Sequence, residues 1–229
     1  MKMTKLTRAL AAATAAGALL AGCTVQGAKD GGGMTEDEAL ELPLERQYIL
    51  AGERYVAVNE RLADLQRELF ADEWEDGGVS SEVAPGSGFS RGNDLIGDNR
   101  DNSYDYSVSR HHAVDGDIES LLREIARSWE AKGWEVSSER VLTARRVTTT
   151  DPDGYWFEAM APGSDLSLTA LSPVYWGAYD SLLTAIAARR EAEREAGAPG
   201  TSIDHDESNK SRFLPGVYLP FPAWNALSP

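Results

Sequence analysis

The stretch that decides the fold of this chain covers residues 117–176 and begins with DIESLLREIARSWEAKGW. Six apolar residues follow one another here at helical spacing: Ile118, Leu121, Leu122, Ile125, Ala126 and Trp129. This spacing places all six on one face of an amphipathic helix. Lys132 and Gly133 then form a stop signal, with a cation in the last turn and a glycine at the left-handed position.

The remainder of this stretch predicts a sheet. Three β-prone runs follow the helix, at 134–142, 155–160 and 166–170. Turn signals at 151–154 (DPDG) and 161–165 (APGSD) separate them, and short turns between strands indicate an antiparallel meander. A further alternating run at 104–108 predicts a strand ahead of the helix. The expected fold is therefore α+β, with an antiparallel sheet of about four strands and helices packed on one face.

Composition indicates a single acidic domain. The chain has 229 residues, 42% of them hydrophobic, and a net charge of −15. This length suffices for one domain with a real core. Nucleic acid and anionic lipid headgroups repel so acidic a chain, so we expect no nucleic-acid partner. The single cysteine excludes an intrachain disulfide and a multi-cysteine metal site.

The N-terminus has the layout of a secretory signal. Three cations within residues 1–8 precede an uncharged apolar run at 9–20. The sequence Leu20-Ala21-Gly22-Cys23 follows and resembles the bacterial lipobox, whose pattern is Leu, a small residue, Gly or Ala, and Cys. The resemblance implies cleavage between Gly22 and Cys23. It also implies lipid attachment to the Cys23 thiol and acylation, for example by palmitate, of the new amino group.

Two alternatives to lipidation are an uncleaved membrane helix and ordinary secretion with a free thiol at Cys23. The apolar run is shorter than the roughly 20 residues that a membrane span needs. Two or three acyl chains, in contrast, make a stable anchor. We therefore expect the chain at the outer, extracytoplasmic face of the cell membrane. Without the signal segment it keeps 19 basic and 37 acidic residues, a net charge of −18.

Composition divides the chain into four segments. Residues 1–22 form the predicted signal peptide, 23–43 the lipidated Cys23 with a flexible glycine-rich tether, 44–196 a single α+β domain with a loop at 77–102, and 197–229 a tail rich in proline and aromatic residues. The tail contains too many prolines for a regular helix or a central strand. We expect it to lie over an apolar groove of the domain, or else to dock a partner.

A heptad pattern marks the longest predicted helix, from Pro43 to about residue 74. Its apolar seam contains Leu44, Tyr48, Ala51, Tyr55, Val58, Leu62, Leu65 and Leu69. One interpretation is a coiled coil that dimerises or binds a partner, and the other is a helix packed on its own sheet. One alanine and two tyrosines in the seam favour packing within the chain. A third helix is predicted at 177–196.

One motif matches a catalytic pattern. Gly88-Phe89-Ser90-Arg91-Gly92 fits the G-x-S-x-G of serine hydrolases, with Ser90 as nucleophile and His111 or His112 as base. In hydrolases this motif forms a sharp turn between a strand and a helix. Here the flanking residues are Gly- and Ser-rich, which favours a plain loop, and we assign no catalytic residue.

Three groups carry metal-ligating side chains: His111 with His112; Asp204, Asp206 and Ser208; and Asp94, Asp98, Asp101 and Asp105. Adjacent residues of a strand face opposite sides, so the histidine pair cannot share one ion there. The second group lacks the glycine and the closing Glu of a calcium loop. Calcium binding by the third group stays open, because clustered carboxylates attract hard cations. We predict no metal site and no cofactor.

Aromatic residues concentrate in the predicted sheet: Tyr155, Trp156, Phe157, Tyr175 and Trp176. By strand alternation, half of them face the core. The others are candidates for lining a shallow binding groove.

Five features together define a recognisable layout: the lipobox ending at Cys23, the helix leading to Trp74, the helix end at 131–134, the turn at 151–154 and the run at 166–173. This layout resembles that of small actinobacterial lipoproteins of largely unassigned function, the LppA-like group among them. The resemblance implies an α+β domain on the outer membrane face and supplies no catalytic residues.

The sequence therefore predicts a lipid-anchored envelope protein with a non-enzymatic role in binding or envelope assembly. The membrane is its expected partner through the lipid on Cys23, and an envelope protein is a candidate second partner. The alternatives are a structural protein that binds a partner through the heptad helix, and a serine hydrolase that uses Ser90.

Overall fold

The computed structural model describes residues 27–77, 83–86, 95–142, 144–198 and 211–227. In these ranges the α-helices are α1 (Glu36–Leu40), α2 (Leu44–Leu69), α3 (Ile118–Ala131) and α4 (Tyr179–Glu195). The strands are β1 (Trp74–Asp76), β2 (Ala84–Pro85), β3 (Ser103–Asp105), β4 (Ser107–Ala113), β5 (Glu135–Val141), β6 (Ala144–Thr150), β7 (Trp156–Met160), β8 (Asp165–Leu171), β9 (Tyr175–Trp176) and β10 (Arg212–Phe213). A 3-10 helix, Trp224–Leu227, follows near the C-terminus. None of the helices in the described ranges has both the length and the apolar character to cross a membrane.

The main sheet is antiparallel and has the strand order β10-β1-β4-β8-β7-β6-β5. Strands β5, β7 and β8 correspond to the three predicted strands, and together with β6, which the sequence does not predict, they form a four-stranded antiparallel meander. Strand β4 then pairs with β8 along its whole length. A second small sheet has the order β2-β3-β9. The α+β class is confirmed, but the prediction of about four strands is wrong, because the main sheet has seven.

Strand β6 is the main omission from the predicted meander. Its sequence, ARRVTTT, has Val147 as its one large apolar residue, so it shows no hydrophobic alternation. Its β-branched residues nevertheless favour a pleated strand. It forms a hairpin with β5, in which Glu135 lies opposite Thr150 and Val141 opposite Ala144.

One face of the main sheet forms the hydrophobic core. Its buried residues include Val108, Val147, Phe157, Ala159, Leu166, Leu168 and Ala170. Helix α3 covers β5 to β7, and α2 covers β4 and β8. Trp134 stacks on Phe157 with 5.5 Å between the ring centroids, and Trp129 packs beside both rings. The predicted amphipathic face of α3 thus lies on the sheet.

Within the heptad seam of α2, the residues from Tyr48 to Leu65 are buried by the rest of the chain, as the intrachain interpretation predicts, whereas Leu44 is 37% exposed and Leu69 is partly buried. Val58 is 0% exposed, whereas Val56 on the outer side of the helix is 43% exposed. The helix ends at Leu69, earlier than predicted, because Phe70 adopts an extended conformation. Trp74, expected at the helix end, instead begins β1.

The proline-rich tail lies across α2 and α4. The hydroxyl of Tyr48 donates a hydrogen bond to the carbonyl of Pro222 at 2.9 Å, and that of Tyr55 donates to Leu219 at 2.6 Å. The guanidinium of Arg189 lies 3.7 Å from the centroid of the Trp224 ring. Over residues 211–227 the tail therefore follows the predicted path along the domain surface.

The glycine-rich segment differs from the flexible tether predicted for residues 23–43. From residue 28 onward it is packed on the domain. Thr35 and Glu38 form a capping box at the start of α1, and Ala39 is 2% exposed. The buried carboxylate of Asp30 holds this segment against the domain.

Candidate functional site

Asp30 fixes the segment that follows the lipobox. Its Oδ1 accepts hydrogen bonds from the backbone N–H groups of Gly32 at 2.8 Å and Met34 at 2.9 Å. Its Oδ2 accepts one from the backbone N–H of Trp176 at 3.0 Å. The Asp30 side chain is fully buried. Such a carboxylate organises its own turn and joins that turn to β9.

Arg54 of α2 neutralises this buried carboxylate. Its Nη2 lies 3.5 Å from Oδ2 of Asp30, and its Nη1 donates a 2.6 Å hydrogen bond to the Tyr104 hydroxyl. The guanidinium also lies 4.0 Å from the centroid of the Tyr175 ring. Burial raises the pKa of the Tyr104 hydroxyl to about 12, although Arg54 acts in the opposite direction. We call Asp30, Arg54, Tyr104, Tyr175 and Trp176 the N-terminal latch.

Close backbone contacts seat this segment against the connection between β8 and β9. The indole Nε1 of Trp176 donates to the carbonyl of Ala28 at 3.1 Å, and the N–H of Gly31 donates to the carbonyl of Val174 at 3.2 Å. A Cβ atom on Gly31 would lie 2.2 Å from Cβ of Pro173. Glycine at position 31 is therefore a packing requirement, and the chain is docked from Ala28 onward.

The latch lies at one end of the main sheet. A Cβ atom on Gly154, in the turn between β6 and β7, would lie 3.4 Å from Pro173 Cγ. Asp151 in the same turn accepts a 3.1 Å hydrogen bond from Arg61 of α2, which also pairs with Asp153. Residues 28–35, 151–154 and 172–174 therefore lie together. We call them the anchor-proximal end, because residues 28–35 follow closely on Cys23, the predicted lipid-attachment residue.

Helix α1 adds negative charge beside the anchor-proximal end. Its first turn holds Glu36, Asp37 and Glu38. Acidic residues in a first helical turn interact favourably with the helix dipole. The hydrogen bonds from Thr35 lower the pKa of the Glu38 carboxyl, so this group is charged at neutral pH. The exposed Lys29 lies near Glu38, but the three carboxylates outnumber it, so the surface around the first turn of α1 has a net negative charge.

Several predicted site residues lie outside the described residues: Cys23, Ser90, Asp94, Asp204, Asp206 and Ser208. The lipid-attachment and serine-hydrolase hypotheses therefore remain predictions from sequence. The same holds for the weak similarity of residues 204–208 to a calcium loop.

The histidine pair lies on β4, where strand alternation places the two side chains on opposite faces. His112 stacks on Phe70 with 4.1 Å between the ring centroids, and its Nε2 lies 3.0 Å from Oδ1 of Asp72. Its Nδ1 is buried and has no hydrogen-bond partner in the described part of the chain. His111 lies opposite Glu75 of β1. Across the described ranges, no three His, Cys, Asp or Glu side chains are arranged to hold a metal ion.

The third predicted group of carboxylates includes Asp98, Asp101 and Asp105 among the described residues, and these occupy different environments. Asp105 on β3 is 8% exposed, whereas Asp101 is at the surface. Burial raises the pKa of the Asp105 carboxyl to about 6, with a smaller contribution from the negative charge of Asp98. Asp105 therefore lies in an environment that disfavours its charged form.

The aromatic residues proposed to line a groove are all buried. Tyr155 and Trp156 are each 7% exposed, Tyr175 and Trp176 each 3%, and Phe157 1%. Tyr104, Tyr155 and Tyr175 pack around Arg54 and Arg61 instead. Trp156 and Phe157 still each border a shallow pocket, beside Val136 and beside Arg61 respectively. In the described part of the chain the expected groove lining is therefore limited to these two side chains.

Asp30 and Arg54 were missed as site residues from sequence. The one available signal was Asp30 followed by three glycines, a composition in which an Asp side chain bonds to its own backbone in a turn. No family model matches this chain, and neither a curated protein nor a solved structure matches it. The features of this chain that bear on function are therefore the lipobox and the geometry of the anchor-proximal end.

Proposed function

We propose that this protein is a bacterial lipoprotein that binds an envelope protein and has no enzymatic role. Acyl chains on Cys23 would anchor it to the outer face of the cell membrane. The observation that carries the proposal is the complete lipobox ending at Cys23, followed within five residues by Ala28, where the docked segment begins. Two or three acyl chains provide stable anchoring, and the latch turns this anchor into a mechanical connection to the folded domain.

Charge favours a protein partner over direct contact with lipid. The chain without residues 1–22 has a net charge of −18. Anionic headgroups repel such a domain, while a partner with a neutral or basic surface does not. The domain then meets its partner close to the membrane without adhering to the headgroups.

The heptad-helix alternative has weaker support. Tyr48, Tyr55 and Leu62 of the seam are each 2% exposed or less, because the sheet and the tail cover them. A coiled coil through this seam would have to displace that packing. A partner that used α2 would instead meet its outer side, where Ile49 and Val56 are about 40% exposed.

Lipidation is tested by comparing the native full-length chain with Cys23→Ser in a bacterial host that processes lipoproteins. The native chain is expected to incorporate labelled palmitate, to yield an acylated N-terminal peptide in mass spectrometry and to sediment with membranes. Cys23→Ser should lose the label. Thr24→Ala, which changes the neighbouring residue outside the lipobox, should keep it. A native chain that is unacylated and soluble would refute the proposal.

A further inference from the structure

The connection between the proposed lipid and the folded domain is short. Residues 24–27 are the linker between Cys23 and Ala28, whose carbonyl is bound by Trp176 Nε1 at 3.1 Å. Five residue steps of extended chain span at most about 18 Å. This limit is smaller than the domain, so the attachment point restricts which part of the domain can approach the membrane.

We propose that the anchor-proximal end is a membrane-facing surface, held by the linker within about 18 Å of the lipid headgroups. This inference rests on the proposed acylation of Cys23 and adds to it the orientation of the domain. The partner of this surface is the headgroup layer, and the exposed residues Pro152 and Asp153 of the turn at 151–154 lie on the side that meets it, with buried Pro173 packed beneath them. Any protein partner then binds the sides or the far end of the domain.

The latch makes this orientation more than a consequence of chain length. Asp30 accepts three backbone hydrogen bonds and pairs with Arg54, and Gly31 fits against Pro173 without room for a side chain. The docked segment therefore cannot slide along the domain surface. The opposite end of the sheet, at Leu142, lies about 20 Å farther along β6, whose residues each advance about 3.3 Å.

The charges near this end predict contact without adhesion. Glu36, Asp37 and Glu38 of α1 follow directly on the docked segment. Anionic headgroups repel them over a screening length of about 8 Å at physiological salt. On anionic vesicles, added salt should therefore bring the anchor-proximal end closer to the surface.

The orientation is measured by fluorescence energy transfer to lipid-bound acceptors in vesicles. Cys23 is the one native cysteine and its thiol is acylated, so an introduced cysteine is the single reactive thiol. Pro152→Cys labels the anchor-proximal end, and Leu142→Cys labels the opposite end, where residue 142 is 94% exposed. The label at 152 should show about twofold higher transfer, following from the separation of about 20 Å. Equal transfer, or higher transfer at 142, would overturn the proposed orientation.

Two further changes distinguish the contribution of the N-terminal latch to this orientation from the contribution of the linker. An insertion of about six Gly and Ser residues after Gly27 adds at most about 20 Å and should lower transfer at both positions. Asp30→Ala should release the segment back to Ala39 and make the two positions nearly equal. Circular dichroism checks that Asp30→Ala folds. If Asp30→Ala does not fold, the insertion after Gly27 still tests the proposal. Unchanged transfer after the insertion would overturn the proposal.

Vesicle flotation of the same labelled proteins distinguishes the two levels of inference. Protein that does not float lacks a working anchor, which counts against acylation itself. Protein that floats but shows no difference between positions 142 and 152 keeps the anchor and loses the orientation.

Discussion

The carboxylate of Asp30 accepts a hydrogen bond of 3.0 Å from the backbone N–H of Trp176, a residue 146 positions later in the chain. This bond joins the segment beside the lipobox to the last strand of the small sheet. In the proposed lipid-anchored protein, a force on the lipid at Cys23 would therefore reach the folded domain at residue 30 and not at α2. The glycine-rich composition around Asp30 serves close packing rather than flexibility.

Asp30→Ala should destabilise the domain by about 3 kcal/mol, because removing one partner of a buried, hydrogen-bonded ion pair leaves the other charge uncompensated. Here the remaining charge is Arg54, whose side chain is 11% exposed. Three backbone N–H groups also lose their acceptor. Chemical denaturation of the domain at pH 7 measures the change in the free energy of unfolding.

Asp37→Ala is the matched control for this prediction. Asp37 lies seven residues after Asp30 and is exposed in the first turn of α1. Its substitution by alanine removes the same negative charge as Asp30→Ala. Its loss should change the free energy of unfolding by about 0.5 kcal/mol or less. Equal effects of the two substitutions would mean that the latch adds no stability beyond general electrostatics.

Sequence patterns identified the elements whose stability comes from a regular apolar face. The spacing in α3 and α2 predicted both helices and, for α2, packing within the chain. Strand β6 escaped because its inward face carries Arg145 and Thr149 beside Val147, its one large apolar residue, so hydrophobic alternation gave no signal. Strand β1 was missed because it has three residues and depends on β4 and β10 as pairing partners.

The latch could not be predicted for a different physical reason. Its energy comes from a carboxylate, a guanidinium and backbone groups that are distant in sequence and carry no periodicity. Arg54 lies on a helix where a surface cation is ordinary, and nothing in the sequence places Trp176 near Asp30. The glycines of this segment predict a flexible tether, an interpretation that does not hold from residue 28 onward. Their role in a close approach to Pro173 became evident only from the fold.

A pair of valines on α2 tests which side of the helix is packed. Val58→Ala should cost about 2 to 3 kcal/mol, since it removes two buried methyl groups and leaves a cavity. Val56→Ala, on the same helix and 43% exposed, should change stability by about 0.5 kcal/mol or less. Thermal or chemical unfolding gives both values. If α2 formed a coiled coil in solution, the loss of stability in Val58→Ala would depend on the protein concentration. We do not expect such a dependence.

Gly52→Ala should destabilise the protein, although the same change inside a helix normally stabilises by up to about 1 kcal/mol. A Cβ atom at this position would lie 2.8 Å from Cδ1 of the Phe221 ring, which packs there from the tail. Overpacking typically costs about 1 to 3 kcal/mol, so the clash outweighs the gain in helix propensity. We expect a net loss of about 1 kcal/mol, together with faster proteolysis of the tail near Leu219.

The double mutant Gly52→Ala/Phe221→Ala separates the clash with the Phe221 ring from the gain in helix propensity. In a Phe221→Ala background the obstructing ring is absent, so Gly52→Ala should recover the stabilisation of up to about 1 kcal/mol expected from helix propensity. The sign of the Gly52→Ala effect therefore reverses between the two backgrounds. A destabilisation that persists without the Phe221 ring would show that the backbone at Gly52, and not the tail, requires glycine.

Asp105→Asn should stabilise the domain at neutral pH and leave it unchanged in acid. The pKa of the Asp105 carboxyl is raised from 3.8 to about 6 in the folded state, mainly by burial and then by the charge of Asp98. Between these values the folded chain retains a proton that the unfolded chain releases, so native stability falls as pH rises from about 4 to 6.

Above that range the native protein carries a destabilising charge that the amide of Asp105→Asn lacks, and the variant should be more stable at pH 7.5 by about 3 kcal/mol. At pH 4 the two proteins should unfold at nearly the same denaturant concentration. Asp101→Asn, in the same loop but at the surface, should show no comparable dependence on pH. A gain at pH 7.5 that calcium reverses would instead indicate that the Asp105 carboxylate binds a cation, because a ligand that binds only the folded native protein stabilises it and not the amide variant. If Asp105→Asn and the native protein differed in stability by the same amount at pH 4 and at pH 7.5, Asp105 would be solvated in the folded protein.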